Sequence, residues 1–533
     1  MDSTELNRLK KEYSKRYHLK KIPSNSELRN LLSQEEREEL SDILFTKPSR
    51  TASGVAICAI MTPPFNCPHG KCRMCPGGIK SPFGNVPQSY TGIEPAARRA
   101  ARNQYDPYRQ VFNRLEQYVL LGHNINKIEL IIMGGTFPAL PYSFQEEFVM
   151  YAFKAMNDFS DLFFKDGKID FEKFREFFML QINKDDKERE MIIKQRVLSI
   201  KGESSLKKEH KRNESSYVRC VGLTIETRSD YADGKKLLAL GCTRIELGIQ
   251  STKERALKEI NRGHTVKDSI KAIKELKNQG FKLVFHIMLG LPSSSVEDDI
   301  KMIKELFDNP DFRPDMLKIY PCIVVKGTEL YNDYIKGKYK PLTTEEAVKI
   351  ISEAFPYVPE YCRVMRIQRD IPQQNIDAGP NKTNLRQYVD EAIKGKRIME
   401  IRHREAGRKK SKTSESKLFI KRYKASGANE YFISYESTDR EVLYGFCRLR
   451  IVDEKAFIRE LHVYGKSAPL GKEGDIQHKG LGNLLLKEAE RIAIEKKVHT
   501  ILVISGVGVR EYYKKRGYRL YKGYMMKDIL KQR

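Results

Sequence analysis

The sequence predicts an α/β protein in two modules: an open (β/α)6 partial barrel, then an α+β domain, with a basic helical segment in front. Three observations carry this. Six apolar runs between residues 54 and 320 alternate with helical stretches, as parallel strands covered on both faces should. From about residue 415 the runs alternate apolar and polar positions, as in meander strands. The first fifty residues are rich in Lys and Arg.

Bulk properties narrow the class. A chain of 533 residues holds two or three domains, and a hydrophobic fraction of 40% allows sizeable cores. Mean hydropathy is −0.56. No apolar run reaches the length of a membrane span, and Met1-Asp-Ser-Thr-Glu-Leu6 is no signal region. A cytoplasmic protein with reduced thiols is expected. Lys plus Arg number 97 against 70 acidic residues, a net charge of +27. Such a chain attracts polyanions, with nucleic acid the first candidate. A Lys-rich solvated surface, or a heat-adapted source, is the competing explanation.

Residues 6–21 set Lys and Arg along most of a helix, with Tyr13 and Tyr17 between them. Basic residues with interleaved aromatics suit an RNA backbone and its bases, and equally an ordinary solvated helix. Segment 1–50 is drawn as this basic helical arm. Barrel strands are expected at 54–61, 127–133, 220–226, 244–250, 282–289 and 316–320. Helices are expected at 94–121, 144–157, 266–279 and 296–307. The barrel is drawn as 51–330. Thr136, Glu226, Gln250 and His286 gather at strand ends, where barrel chemistry sits. Residues 160–215 interrupt the rhythm with dense charge and read as a solvated insertion without a catalytic role. Residues 331–410 read as a connector with basic clusters. Cys322, Cys362 and His403 are weighed there as a second metal site against isolated buried cysteines.

The chain is organised around Cys67-Pro-His-Gly-Lys-Cys72-Arg-Met-Cys75, straight after the first strand. Three thiolates from one turn-rich loop suit an iron–sulfur cluster. A zinc site with His69 or a distant fourth ligand is the alternative. A disulfide fits less well, since the nine cysteines are odd in number and sit in no secreted context. With three protein ligands a 4Fe-4S cluster keeps one iron open, as binding and cleaving S-adenosylmethionine requires.

In the last domain, 411–533, strands are expected at 418–423, 430–435, 442–451 and 456–463. Gln477-His-Lys-Gly480-Leu-Gly482 then opens a helix through 497, a backbone cradle for a pyrophosphate. A strand at 499–504 and the pair Tyr512-Tyr513 follow. That order of elements resembles the acyl-CoA-binding acetyltransferase arrangement.

These residues resemble, over almost the full length, the radical-SAM tRNA acetyltransferase family of the Elongator catalytic subunit, in its archaeal type. The resemblance rests on Thr51-Ala-Ser-Gly54, Cys72-x-x-Cys75-Pro-Gly-Gly78, Gln88-Ser-Tyr-Thr-Gly92, Met133-Gly-Gly-Thr136, Thr224-Ile-Glu-Thr-Arg228, Asn261-Arg-Gly-His-Thr265, Arg369-Asp-Ile-Pro372, Arg459-Glu-Leu-His-Val-Tyr-Gly465 and Ile504-Ser-Gly-Val-Gly508. Only the insertion falls outside. One departure is a shorter spacing before the Cys-x2-Cys pair; Cys67 is assigned because it keeps the Cys-Pro-His context.

The resemblance implies an open (β/α)6 radical-SAM partial barrel followed by a GNAT acetyltransferase domain. It implies a tRNA carboxymethyluridine synthase, an acyltransferase acting on carbon 5 of wobble uridine 34. Acetyl-CoA supplies the two-carbon unit, and a 5′-deoxyadenosyl radical from SAM abstracts hydrogen from the acetyl methyl so that the carbon radical adds to the base. Cys67, Cys72 and Cys75 would bind the cluster. Gly134, Gly135 and Thr136 would line the SAM site, with Glu226 and Gln250. Lys127 would reach acetyl-CoA from the barrel. Glu460, Leu461, His462 and Val463 would take the pantetheine arm. Gln477, Gly480, Leu481, Gly482, Asn483 and Leu484 would hold the pyrophosphate. Tyr513 would protonate the leaving thiolate. Basic residues of 1–21 and 363–408 would bind tRNA. No membrane is implied, a homo-oligomer is compatible, and no accessory subunit is named.

Rival readings are a protein-lysine (histone-type) acetyltransferase using only the last domain, and a tRNA-binding scaffold with a structural cluster. A radical-SAM modifier with a silent acetyltransferase domain is a third, opposed by the intact loop at 477–482.

Overall fold

The computed structural model describes residues 2–47, 51, 53–180, 186–408, 415–464 and 480–529. Helix α1 (Ser3–Arg16) starts on Asp2, whose carboxylate accepts hydrogen bonds from the Thr4 and Glu5 amides. Tyr13 and Tyr17 are exposed and stacked, 5.9 Å between centroids. Among the described residues no helix is long and apolar enough to cross a membrane.

The six expected barrel strands form one parallel sheet in chain order. They are β1 (Ala56–Met61), β2 (Lys127–Met133), β3 (Arg219–Thr227), β4 (Arg244–Gln250), β5 (Lys282–Leu289) and β6 (Met316–Pro321). A seventh, β7 (Arg363–Arg366), pairs with β6 and comes from the segment read as a connector. It is four residues long with Arg at both ends, so it has no apolar run to announce it. The helix expected at 94–121 is two, Pro95–Arg102 and Pro107–Leu120. Asp106 caps the second and proline stands at its start, where a missing N–H is harmless.

The insertion departs most from expectation. Helix α2 (Leu206–Asn213), read as solvated, buries Leu206, Glu209, His210 and Asn213, which recur at helical spacing on one face. Its Lys and Arg residues cover the other face and dominate the composition. The Asn157 amide donates to the Glu209 carboxylate at 2.8 Å. Glu214, just beyond α2, is buried and pairs with Arg510 at 3.3 Å and Lys514 at 2.8 Å in the last domain.

The last domain carries β8 (Ser416–Ala425), β9 (Ala428–Ser437), β10 (Leu443–Val452), β11 (Lys455–Val463), β12 (Thr500–Val503), β13 (Arg519–Tyr521) and β14 (Tyr524–Asp528). Their order in the sheet is β8-β9-β10-β11-β12-β14-β13. Strand β11 pairs in parallel with β12 only over residues 455–458, so the sheet splays beyond Ile458. Helix α3 (Leu481–Glu495) packs on it, and a short helix, α4 (Arg510–Lys514), follows β12.

The two domains meet closely. A Cβ on Gly506 would lie 2.2 Å from the Val221 carbonyl oxygen of β3, so only glycine allows this approach. Arg448 faces Glu460 and Leu449 faces Ile458, which makes Arg459 the extra residue of a β-bulge. Arg459 donates to Asp315, at the foot of β6, and at 3.0 Å to Glu430. Glu430 also takes Arg450 at 2.8 Å, and Asp315 accepts the Leu283 amide at 2.9 Å. Asp315, Glu430, Arg450 and Arg459 are each fully buried.

Burial opposes the Asp315 carboxylate, but Arg459, Lys277 and Arg448 outweigh it and hold its pKa below the usual value of 3.8. Its stabilisation is therefore complete above about pH 4 and is lost only as pH falls through the lowered native value. Asp315→Ala leaves two buried guanidinium groups, Arg459 and Arg450, to share the one carboxylate of Glu430. We expect it to cost ~3–5 kcal/mol, against less for Asp315→Asn, measured by urea unfolding at pH 7.

Candidate active site

The cysteine loop closes over the C-terminal ends of the barrel strands. Cys67, Cys72 and Cys75 all line one cavity of about 150 Å³, with Gly135, Thr136, Gln88, Glu226, Gln250, Arg262 and His286 on its walls. The Ser89 amide lies 3.3 Å from Cys75 Sγ, and Arg262 Nη1 lies 3.8 Å from Cys72 Sγ. Thr136 Oγ1 lies 3.7 Å from Cys67 Sγ. Burial raises the thiols of Cys67 and Cys75. Three convergent sulfurs with N–H donors beside them suit a soft, anionic cluster, so this donor set fits an iron–sulfur group. His69 is close as well, with Nε2 3.2 Å from Cys72 Sγ. Burial, then Arg228 and Arg262, push its pKa down to about 4, so it is a neutral ring. Gly134 packs against Thr62 and Pro87 behind the wall rather than on it.

Deeper in the barrel lies a charged layer. His286 Nε2 donates to Glu246 Oε2 at 2.8 Å, and Lys318 Nζ donates to the same oxygen. Lys318 is 4.0 Å from Glu226. Burial works against the Glu246 carboxylate, yet Lys318 and His286 keep its pKa well below normal. Burial pushes the Glu226 carboxyl up to about 7. Burial, then Lys318, push His286 down to about 4. Glu226 and Glu246, together with Tyr90, Tyr320, Arg366, Arg369 and Asp370, line both this cavity and a second, larger one.

The second cavity, about 1080 Å³, runs from that layer to the last domain. Its barrel wall carries Lys127, Arg219, Arg244 and Lys282, each the first residue of its strand. Burial lowers the pKa of Lys127 and Lys282. Its far wall is Glu460, Leu461, His462, Val463, Gly480, Leu481, Gly482 and Asn483. Gly480 caps α3 at φ +79°, a left-handed backbone that glycine adopts without strain. The Leu484 side chain is exposed and its amide donates to the Gly480 carbonyl at 3.1 Å. Gln477 lies outside the described residues.

Tyr512 and Tyr513 both line this cavity but differ. Tyr513 packs in the domain core against Tyr518, 5.7 Å between centroids. The Tyr512 hydroxyl is buried without a hydrogen-bond partner, and Arg516 stands 3.6 Å over its ring. Burial raises both phenols, so each holds its proton at neutral pH.

Part of the basic cluster 363–408 points inward, while Arg366, Arg397 and Arg408 are exposed. Arg363 pairs with Glu405 at 3.0 Å, Arg386 with Glu400 at 3.1 Å and Arg404 with Glu436 at 2.8 Å. Arg363, Arg386, Arg402 and Arg408 line the large cavity. Cys322 and Cys362 are buried in different apolar clusters, and the cluster of ligand-type side chains found among the described residues is Glu226, Glu246 and His286. Glu246, Lys318 and Arg244 escaped the sequence reading. Their signal is charge at alternate positions of apolar strands, Arg244 with Glu246 and Lys318 with Tyr320, where a barrel's inner face recurs.

Comparison with known proteins accounts for every segment. Residues 1–52 match the ELP3 N-terminal domain, 61–306 the Radical SAM superfamily, 314–395 the Radical SAM C-terminal domain and 396–518 the Acetyltransferase (GNAT) family. The chain is 44% identical over 531 residues to a tRNA uridine(34) acetyltransferase of Methanocaldococcus infernus, covering 95% of this chain and 92% of that protein. It is 38% identical to Elongator complex protein 3 of Saccharomyces cerevisiae, covering 98% and 92%. The solved Methanocaldococcus infernus Elp3 with an N-terminal deletion superposes with a TM-score of 0.72 at 39% identity, covering 89% of this chain and 99% of that one. The Radical SAM and GNAT matches imply SAM, an iron–sulfur cluster and acetyl-CoA as the groups such domains use.

His69 and the cysteines are separable by metal analysis. Cys67→Ala, Cys72→Ala and Cys75→Ala should each abolish iron and sulfide incorporation in anaerobic reconstitution. His69→Ala should retain both, because a three-sulfur set is complete without it. Zinc in place of iron, lost with His69, would identify a structural zinc loop instead.

Proposed function

We propose that this chain, which belongs to the tRNA uridine(34) acetyltransferase (Elongator complex protein 3) family, modifies carbon 5 of wobble uridine in tRNA with a two-carbon unit from acetyl-CoA. The observation that carries the reading is the single large cavity. Its walls belong both to the barrel interior and to the acyl-CoA face of the last domain, and it meets the cysteine cavity at seven shared residues.

Cys67, Cys72 and Cys75 would hold the cluster and Gly135, Thr136, Glu226 and Gln250 the SAM, which together would supply the radical chemistry suited to a ring carbon far less nucleophilic than an amine. The chain's own residues do the rest. Glu460, Leu461, His462 and Val463 offer strand backbone where the sheet splays, free of β12, to the pantetheine arm. Gly480, Leu481, Gly482 and Asn483 present the start of α3 to the pyrophosphate. Lys127 faces the acyl group from the barrel rim. Tyr512 is favoured over Tyr513 as proton donor to the leaving thiolate, since Tyr513 packs its ring in the domain core while the Tyr512 hydroxyl is a buried polar group that a ligand would satisfy. The exposed, basic α1, with its stacked tyrosines, suits the tRNA backbone.

A protein-lysine acetyltransferase fits less well. The acyl-CoA face opens toward the barrel interior, where a lysine of a folded protein does not reach.

The test is acetyl-CoA hydrolysis by the anaerobically purified protein, with and without tRNA carrying U34. Stimulation by tRNA is expected; a rate indifferent to tRNA overturns the reading and restores the protein-acetyltransferase alternative. Within that assay Tyr512→Phe should lower kcat by roughly 100-fold with KM little changed, the size of a general-acid contribution. Tyr513→Phe should lower it by less than about fivefold, as loss of a core hydroxyl without proton transfer would.

A further inference from the structure

At the junction of the two cavities stands a pair of groups that neither the cluster nor the acyl donor uses. Glu246 is 1% exposed, its Oε2 takes His286 and Lys318, and its Oε1 accepts no hydrogen bond. Arg244 Nη2 lies 4.0 Å from Oε1, beyond hydrogen-bond distance. A buried carboxylate oxygen left unpaired is costly, and such a group is kept where a ligand completes it. Lys318 has three donors and spends one on Glu246. The layer therefore offers an acceptor beside a donor. Tyr90 and Tyr320 line the same junction and supply aromatic faces. A metal ion is the weaker occupant: the Lys318 ammonium already bonds the carboxylate oxygen that a cation would share with His286.

We propose that the Glu246–Lys318 pair reads the target base as uracil, Glu246 accepting its N3–H and Lys318 donating to the adjacent carbonyl. This rests on the reading of the protein as a tRNA uridine modifier. Both reactants must meet where the cavities join, so a base extruded into the large cavity meets the radical source there. An extruded base is read on its Watson–Crick edge. Uracil presents N3–H flanked by two carbonyls. Cytosine presents an N3 lone pair beside an amino group, which sets lone pair against carboxylate and N–H against ammonium.

The test is binding of anticodon stem-loop RNA, with U34 or C34 as the sole difference, to the anaerobically reconstituted protein, read by fluorescence anisotropy. Each U:C ratio is taken within one preparation, so any loss of folded protein cancels. The wild type should prefer U34 by about tenfold or more, the scale of one paired base-edge contact. Glu246→Gln, whose amide offers a donor as readily as an acceptor, should bring the ratio within about threefold. Glu246→Asp, which keeps the carboxylate, should retain a preference for U34 whatever its overall affinity. A wild type without preference, or a Glu246→Gln variant that keeps the wild-type ratio, overturns the proposal. If tRNA with U34 stimulates acetyl-CoA hydrolysis while the ratio does not move, this inference alone falls. If tRNA does not stimulate, the functional reading falls with it.

Discussion

The buried ion network of Asp315, Arg459, Glu430 and Arg450 is the constraint on which the two-domain site depends. Asp315 stands at the foot of β6 and Arg459 in the bulge of β11. The bulge sets two successive residues, Arg459 and Glu460, opposite Arg448, so Arg459 reaches Asp315 while Glu460 holds Arg448 at 2.8 Å. Charges taken out of water are expensive, and mutual attraction offsets that cost only with good geometry. Here Asp315 also accepts a backbone amide, and Glu430 spreads its two oxygens over two guanidinium groups. The network tolerates little sliding, so it holds Glu460–Val463, the next residues of β11, at the mouth of the barrel.

Two further contacts act on the opposite side of the same cavity. Glu214 holds Arg510 and Lys514, the two ends of α4, and α4 carries Tyr512 and Tyr513. The glycine at 506 lets the chain ahead of that helix lie against β3. Acceptor strand and tyrosine helix are thus each tied to the barrel rather than only to one another. The segment that supplies Glu214 is the one whose composition promised only a solvated surface.

Much of the architecture was legible in the sequence. The six barrel strands are continuous apolar runs, and burial on both faces makes such runs unmistakable. The four meander strands and the glycine loop before α3 were legible by alternation and turn chemistry. The cysteine loop announced itself because its three ligands lie within nine residues. What was hidden is of another kind. Strand β7 is too short for a pattern. Glu246, Lys318 and Arg244 meet only when strands of the sheet curve together. Tyr512 and Tyr513 look alike in a string of letters, and only packing sets Tyr513 in the core and leaves the Tyr512 hydroxyl buried without a partner. The Arg-rich stretch 363–408 looked like an outer RNA-binding face. Its partners Glu400, Glu405 and Glu436, which turn part of it inward, lie up to 42 residues from the arginines they hold, Glu436 on another domain.

A barrel that works from both ends explains the remaining pattern of charge. In a closed parallel barrel the N-terminal rim is a place for stability and the C-terminal rim for chemistry. This sheet is open, and residues at the starts of four strands face a large cavity. Lys127 pairs across the ladder with Arg219, and Arg244 with Lys282. Lys127 and Arg219 share one rung, while Arg244 and Lys282 share the rung of Ile131 and Thr224; the two cationic pairs, partly answered by Glu129 and Glu460, line the cavity between the proposed acyl-CoA face and the deeper layer. Burial lowers the pKa of Lys127 and Lys282, so their charge is held against a desolvation penalty that an anionic ligand would relieve. A thioester tethered to a nucleotide and a base tethered to a polynucleotide both bring phosphates. The cysteine cavity at the other rim mixes Arg228, Arg262, Arg366 and Arg369 with Glu226, Glu246 and Asp370, whereas basic side chains outnumber acidic ones around the larger cavity, as two phosphate-bearing reactants would require.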